Sequence, residues 1–236
     1  MERGEERGEM IKTLQRILEV LLPLFLFLAH PFSQVFSEEP GFRDLNWDYW
    51  AFKEIQFLRE EGIISGYPDG TFKPENPITR AEFAKLILLY SQPRGGKFPK
   101  NPTFPDVPSN HWAFPYVEEC AKSGLVSGYP DGTFRPENYI TKAEMVKLIV
   151  LSRKLPENLY KKDAFLDCRE GEWFYPYVQT ALSFGILRVS DPGLTEGVFK
   201  EKGSNLREIL GYNFFPNKAA TRAQAAVLLY RLIFVP

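Results

Sequence analysis

SGYPDGTFKPEN at residues 65–76 returns at 127–138 as SGYPDGTFRPEN, changed only by Arg135 in place of Lys73. Outward from this stretch, the same offset separates Trp50 from Trp112, Gly62 from Gly124 and Thr79 from Thr141. A fixed period of this length marks one supersecondary unit used repeatedly, and it takes precedence over local propensity. A third, more divergent copy follows. Phe165-Leu166-Asp167 and Trp173 match Phe42-Arg43-Asp44 and Trp50, and Thr221-Arg222-Ala223-Gln224 matches Thr79-Arg80-Ala81-Glu82. The copies occupy 42–90, 104–152 and 165–236, with 91–103 (SQPRGGKFPKNPT) as a joint between the first two.

Each copy reads helix, glycine turn, loop, helix. Ala51, Ile55 and Leu58 fall at helical spacing among charged neighbours, and Gly62 ends that helix where a left-handed residue costs little. Tyr67-Pro68-Asp69-Gly70 is turn chemistry: proline fixes φ, aspartate bonds its own backbone, and glycine accepts positive φ. Thr71-Phe72 is expected to pair briefly as a short strand. Thr79-x-x-Glu82, Thr141-x-x-Glu144 and Thr221-x-x-Gln224 are capping boxes that open the second helix. Apolar stripes follow at Phe83, Leu86, Ile87 and Tyr90, at Met145, Leu148 and Ile149, and at Ala225, Leu228 and Leu229. The expected fold is mainly α: three helix-loop-helix units, none stable alone, packed about a pseudo-threefold axis as one domain, with short β pieces at most in the loops.

Composition bounds the function. The 236 residues carry a formal charge of −1, without the basic excess expected of a nucleic-acid partner. No metal-ligand spacing and no cofactor motif is present; Asp69 and Asp131 lack the oxygen-rich spacing of a calcium loop. Cys120 replaces Leu58 of the first copy and reads as a small core residue, while Cys168 falls in a loop. The recurring carboxylates are explained by caps and turns, and only His30 and His111 are present, so the chain is read as not an enzyme. Residues 1–37 read as an export signal. Val20 to Ala29 is a charge-free run too short for a comfortable membrane span, MIKTLQR supplies a basic start at Met10, and Val35-Phe36-Ser37 suits cleavage. The alternative for this segment is an uncleaved membrane anchor. Removing 1–37 leaves 25 basic and 25 acidic side chains.

Capping does not explain Arg80, Lys142 and Arg222. Each occupies the first helical position, where the helix already presents positive potential and a cation is disfavoured by a few tenths of a kcal/mol. Two readings stand side by side. Each base pairs with a carboxylate of a neighbouring repeat, such as Asp44, Asp106 or Asp167, or side chain and helix amides together hold an anionic ligand. Trp50, Trp112 and Trp173 likewise are core, or they cover the apolar face of a sugar.

FxD, the tryptophan, the glycine-ended helix, GYPDGTFxPxxxIT[RK]AE and the apolar second helix together resemble the S-layer homology motif, across 42–236 in three consecutive copies. The resemblance implies a non-catalytic cell-wall anchoring module that is exported to the cell surface or the periplasmic envelope. Its implied partner is an acidic, often pyruvylated, secondary cell-wall polysaccharide or a peptidoglycan-associated polymer, bound in grooves between motifs. By that resemblance the ligand-contacting bases are Arg80, Lys142 and Arg222. The groove walls are Trp50, Trp112 and Trp173 with Gly66, Tyr67, Asp69, Gly70, Gly128, Tyr129, Asp131 and Gly132. Copy three departs from the pattern: Gly185 to Thr221 is 19 residues longer than Gly62 to Thr79. Asp191-Pro192-Gly193 and a short helix near 205–210 stand where SGYPDGTF belongs. Two working grooves rather than three are therefore expected. No cargo domain is read in these residues, so the expected alternatives are a stand-alone protein–protein adaptor or scaffold of the envelope, or a fragment of a larger gene, with a polysaccharide-acting enzyme a remote one.

Overall fold

The computed structural model describes residues 41–91, 101–157, 164–201 and 207–235; the expected export segment and most of the 91–103 joint lie outside them. In chain order the elements are α1 (Phe52–Glu60), α2 (Arg80–Ser91), α3 (Phe114–Lys122), α4 (Lys142–Ser152), α5 (Tyr175–Ser183), β1 (Glu196–Glu201), β2 (Arg207–Asn213) and α6 (Arg222–Ile233). The fold is mainly α, as expected. None of the described helices is long and apolar enough to cross a membrane.

Local chemistry sets the boundaries. Pro115 and Pro176 sit in the first turns of α3 and α5, where a missing N–H leaves no bond unmade. All three capping boxes form. Thr79, Thr141 and Thr221 accept from the amides of Glu82, Glu144 and Gln224 at 3.1–3.2 Å, and those side chains accept from the threonine amides at 2.8–3.0 Å. The FxD aspartates staple each loop to its own repeat. Asp44 accepts the amides of Phe72 and Lys73, Asp106 those of Phe134 and Arg135, and Asp167 those of Phe214 and Phe215, all at 2.6–2.8 Å. The second residue of each pair, Lys73, Arg135 or Phe215, has φ of 56–57°. The carboxylate therefore holds a backbone shape that side-chain-bearing residues rarely adopt. A phenylalanine pair closes each staple, Phe42–Phe72, Phe104–Phe134 and Phe165–Phe214, with ring centroids 5.1–5.5 Å apart.

The repeats close into a ring through backbone bonds. Ile78 N–H donates to Ala220 C=O, Ala220 N–H to Ile140 C=O, and Ile140 N–H to Ile78 C=O, at 2.9–3.1 Å. This cycle lies at the entrances of α2, α4 and α6, whose contacts with one another form the centre. The two helices of one repeat are not partners. α3 lies against α2, α5 against α4, and α1 against α6, so each first helix packs on the second helix of the preceding repeat. Ile55, Leu58, Phe83, Ile87, Val117, Met145, Ile149, Val178, Ala225, Leu228 and Leu229 fill the resulting core. Cys120 is core as expected, and Cys168, on its loop, is buried as well; both thiols are free.

Two local expectations are corrected. Thr71-Phe72 forms no strand; Thr71 C=O instead accepts from Tyr67 N–H to close the turn. The helix expected near 205–210 is a strand from Arg207 onward. It pairs antiparallel with β1, Phe199 opposite Ile209, and bulges between Val198 and Phe199. A helix this short is marginal by itself, and Ile209 and Tyr212 have strand propensity that pairing with β1 satisfies.

Because the Asp106 staple makes two charge-assisted bonds to amides that have no alternative partner in that turn, Asp106→Ala should cost about 2–3 kcal/mol. The expected result is a lower urea midpoint at unchanged slope.

Candidate functional site

The helix entrances are not free. Arg80 N–H donates to Asn138 C=O and Ala81 N–H to Pro136 C=O; Lys142 and Ala143 donate to Lys218 and Pro216, and Arg222 and Ala223 to Asn76 and Pro74, at 2.8–3.0 Å. With the third amide taken by the capping threonine, the amides that would have joined a ligand are committed to the neighbouring repeat. That part of the anion-site expectation is corrected. The carbonyls also explain why a cation is tolerated there, since their negative ends offset the helix dipole.

Each basic side chain follows its helix entrance onto the neighbouring repeat. Arg80 lies over the rings of Tyr129 and Phe134 at 4.8 Å, donates through Nε to Phe134 C=O at 2.9 Å, and pairs with Glu144 at 3.0 Å. Arg222 repeats this arrangement on the first copy. It lies over Tyr67 and Phe72 at 4.9 and 4.6 Å, donates through Nε to Phe72 C=O at 2.8 Å and through Nη2 to Ser65 C=O at 3.1 Å, and faces Glu82 at 3.6 Å. The acid partner is thus the capping-box glutamate, not Asp44 or Asp106, which serve their own loops.

An open groove borders each arginine. The first, about 520 Å³, is walled by Gly66 and Tyr67 of the first loop, Glu82, Lys85 and Leu86 of α2, Trp112 and Tyr116 of the second repeat, and Arg222. The second, about 250 Å³, has Gly128 and Tyr129, Glu144, Lys147 and Leu148 of α4, Trp173 of the third repeat, and Arg80. Trp112 and Trp173 are 49% and 52% exposed, so neither is a core residue. A helix lysine faces the aromatic wall in both: Lys85 Nζ stands 5.7 Å from the Tyr116 ring, and Lys147 Nζ 5.7 Å from both Trp173 and Tyr177. Sequence reasoning missed these lysines, although each lies five residues beyond its threonine-box base at the shared offset, with Val227 in the third copy.

The third interface is closed. Lys142 is buried, and its ammonium donates to the carbonyls of Leu194 and Phe214. Gln224 Nε2 donates to Gly193 C=O at 2.6 Å, and Gly193 lies so close to Trp50 that a Cβ there would stand 2.5 Å from the indole. Asp191, buried behind this segment, accepts a two-pronged pair from Arg231 at 2.6 and 2.7 Å. Residues 191–194, inherited from the long insertion, therefore sit where the other interfaces are open. Of the residues expected as ligand contacts, Lys142 is buried and Trp50 is half-buried against Gly193. The closed groove is the one that combines the third loop with Trp50 and Lys142, whereas Trp173 and Arg222 of the third copy serve the open ones.

The GYPDG loops divide their labour. Gly66 and Tyr67, and Gly128 and Tyr129, line the grooves; Asp69, Gly70, Asp131 and Gly132 do not. Asp69 and Asp131 instead accept the amide and hydroxyl of Thr71 and Thr133. These bonds hold both carboxyls below the usual range, Asp131 further aided by Arg135. Gly66 has a steric role as well: a Cβ would stand 2.4 Å from the Phe42 ring and 2.6 Å from Thr71 C=O.

Residues 42–84 and 103–146 match the model of the S-layer homology domain, so two such motifs are present in the chain. Over 126 residues, half of this chain, it is 43% identical to Cell surface glycoprotein 1 of Acetivibrio thermocellus, of which it covers 5%. It is 33% identical over 158 residues to the Cellulosome-anchoring protein of the same organism, covering 64% of this chain and 34% of that one. It is 32% identical over 150 residues to the Surface layer protein of Brevibacillus choshinensis, covering 63% and 13%. The chain thus spans about a third or less of the length of these curated relatives.

Burial pushes Lys142 down to about 8. A lysine whose folded pKa lies below its unfolded value opposes folding while both states are protonated, and that opposition fades as pH rises from about 8 towards 10.5. The stability of the wild type relative to Lys142→Met should therefore rise between pH 8 and pH 10, measured by chemical denaturation at each pH.

Proposed function

We propose that this chain is a non-catalytic anchoring module of the cell envelope that binds an acidic wall polysaccharide in its two open grooves. The observation that carries the reading is recurrence. An arginine over two aromatic rings, a half-exposed tryptophan and a helix lysine come together twice, on different interfaces, from residues far apart in sequence. Tryptophan and tyrosine faces suit the CH surfaces of a sugar ring, and the bases suit a carboxylate or phosphate borne by it. The names of the relatives, a surface glycoprotein, an anchoring protein and a surface-layer protein, agree with this role.

The third copy, 165–236, is read as a third S-layer homology motif that shares the ring, the capping box and the aspartate staple. Copies one to three form one domain, and the chain is exported, with 1–37 as its signal or anchor. The ligand contacts are Arg80, Arg222, Trp112, Trp173, Gly66, Tyr67, Gly128 and Tyr129. Asp69, Gly70, Asp131 and Gly132 shape the loops that carry them. Two weak grooves on one compact unit raise the affinity for a polymer without either being tight alone.

Purified sacculi, with and without hydrofluoric acid removal of secondary polymers, test the reading. The protein should sediment with intact sacculi and remain in solution with stripped ones; equal retention on both would replace the polysaccharide by peptidoglycan. Trp112→Ala with Trp173→Ala should reduce sedimentation more than tenfold at unchanged helical signal, given about 1 kcal/mol per stacked ring and the loss of avidity. Trp50→Ala should bind as wild type yet lose about 2–3 kcal/mol of stability.

A further inference from the structure

Within each open groove the two bases are not equivalent. Arg80 and Arg222 are only about a tenth exposed, each bonded to a backbone carbonyl, laid on two rings and paired with a glutamate. The arginine–glutamate pair contributes no net charge to the groove. Lys85 and Lys147 are half-buried, face the aromatic wall, and among the described residues have no carboxylate partner. The unbalanced positive charge of each groove is therefore the lysine's.

The third interface supplies an internal comparison. There the lysine's position is taken by Val227, the capping glutamate by Gln224 and the arginine by Lys142, and the groove is filled by the neutral backbone of residues 191–194. That segment shows what a groove without the helix lysine accommodates. Carbonyl oxygens sit on the base and the glutamine amide, a flat CH face sits against Trp50, and the segment's one carboxylate, Asp191, is taken by Arg231 rather than by the base. Basic head and tryptophan alone are satisfied by uncharged oxygen and carbon. The two grooves that keep the helix lysine are open.

We propose that Lys85 and Lys147 are the specificity-determining residues that read the acidic group of the ligand, while Arg80 and Arg222, whose charge Glu144 and Glu82 offset, contact the saccharide without reading its charge and hold the Tyr129 and Tyr67 loops against the helix entrances. The inference rests on the glycan-binding reading and assigns its charge discrimination to residues outside the threonine-box motif. The ligand is accordingly an anionic saccharide whose charged group projects beyond the sugar face stacked on Trp112 or Trp173, towards the helix rather than towards the loop.

The probe is the polysaccharide released from sacculi, used as isolated and after its carboxyl groups have been reduced to alcohols, titrated against the full chain by calorimetry at two salt concentrations. Wild type should bind the acidic form about tenfold or more tightly than the reduced form, with the difference shrinking at high salt. Lys85→Met with Lys147→Met should bind both forms equally, at the wild-type affinity for the reduced form, with its thermal midpoint unchanged. Lys85→Arg with Lys147→Arg should restore the preference. If the methionine variant keeps the preference for the acidic form, charge reading belongs to the arginines and the proposal fails. If wild type binds both forms equally, the ligand's acid is not read at all and the proposal fails while glycan binding stands. If wild type binds neither, the glycan-binding reading fails with it.

Discussion

The structure depends on an exchange of backbone hydrogen bonds at the helix entrances. A helix begins with amides that have no partner of their own, and buried amides left unpaired would each cost on the order of 1–3 kcal/mol. Here the threonine box satisfies one, and the first two helical amides donate to carbonyls of the adjacent repeat, at Asn138 and Pro136, Lys218 and Pro216, and Asn76 and Pro74. Because those carbonyls belong to another copy, no repeat can satisfy its own second helix. The Ile78–Ala220–Ile140 cycle then closes the exchange after three steps. The side chain at the first helical position goes where its amide goes, which is why Arg80 and Arg222 lie over loops more than fifty residues away or at the other end of the chain.

Much of this was legible because it is written in local chemistry. The capping boxes, the turn in Tyr67-Pro68-Asp69-Gly70, the glycine-ended helices and the apolar stripes each imply their geometry from a few adjacent residues, and all are present. What was not legible is partnership. Nothing in the spacing of Asp44 announces that it holds Phe72 and Lys73 rather than a neighbour's arginine, because hydrogen bonding across 28 residues leaves no periodic trace. Nor does the sequence show that α3 packs on α2 instead of α4; amphipathic helices record that they have a buried face, not which helix covers it. Lys85 and Lys147 did carry a signal, the shared offset, but a lysine on a helix is so often solvated that repetition alone did not single them out. The ribbon at 196–213 failed for another reason. It occurs once, so the repeat offers no second copy to read it against.

The third interface shows how a set of substitutions reads as one change. Arginine to lysine at 142, glutamate to glutamine at 224 and lysine to valine at 227 are each conservative or unremarkable alone. Together they remove the salt bridge and the unbalanced cation from one interface and leave donors suited to neutral carbonyls. The insertion supplies those carbonyls at Gly193 and Leu194, and Asp191 ties the segment down through Arg231. A lysine suits this closed setting better than an arginine would, since a compact ammonium is satisfied by two carbonyls whereas a guanidinium presents five donors in a fixed fork.

A closed groove raises the question of why the third copy is kept in the ring at all. Each open groove takes its loop and helix from one repeat, its tryptophan from the next and its arginine from the one before. The first groove needs Arg222 and the second needs Trp173, so both are incomplete without the third repeat even though its own loop serves neither. The backbone cycle imposes the same requirement independently, because two repeats would leave one set of helix amides facing solvent or nothing. Three copies are therefore the smallest number that can build even one groove of this kind. A chain under selection for only two of them can alter the third loop, but it cannot discard the third pair of helices.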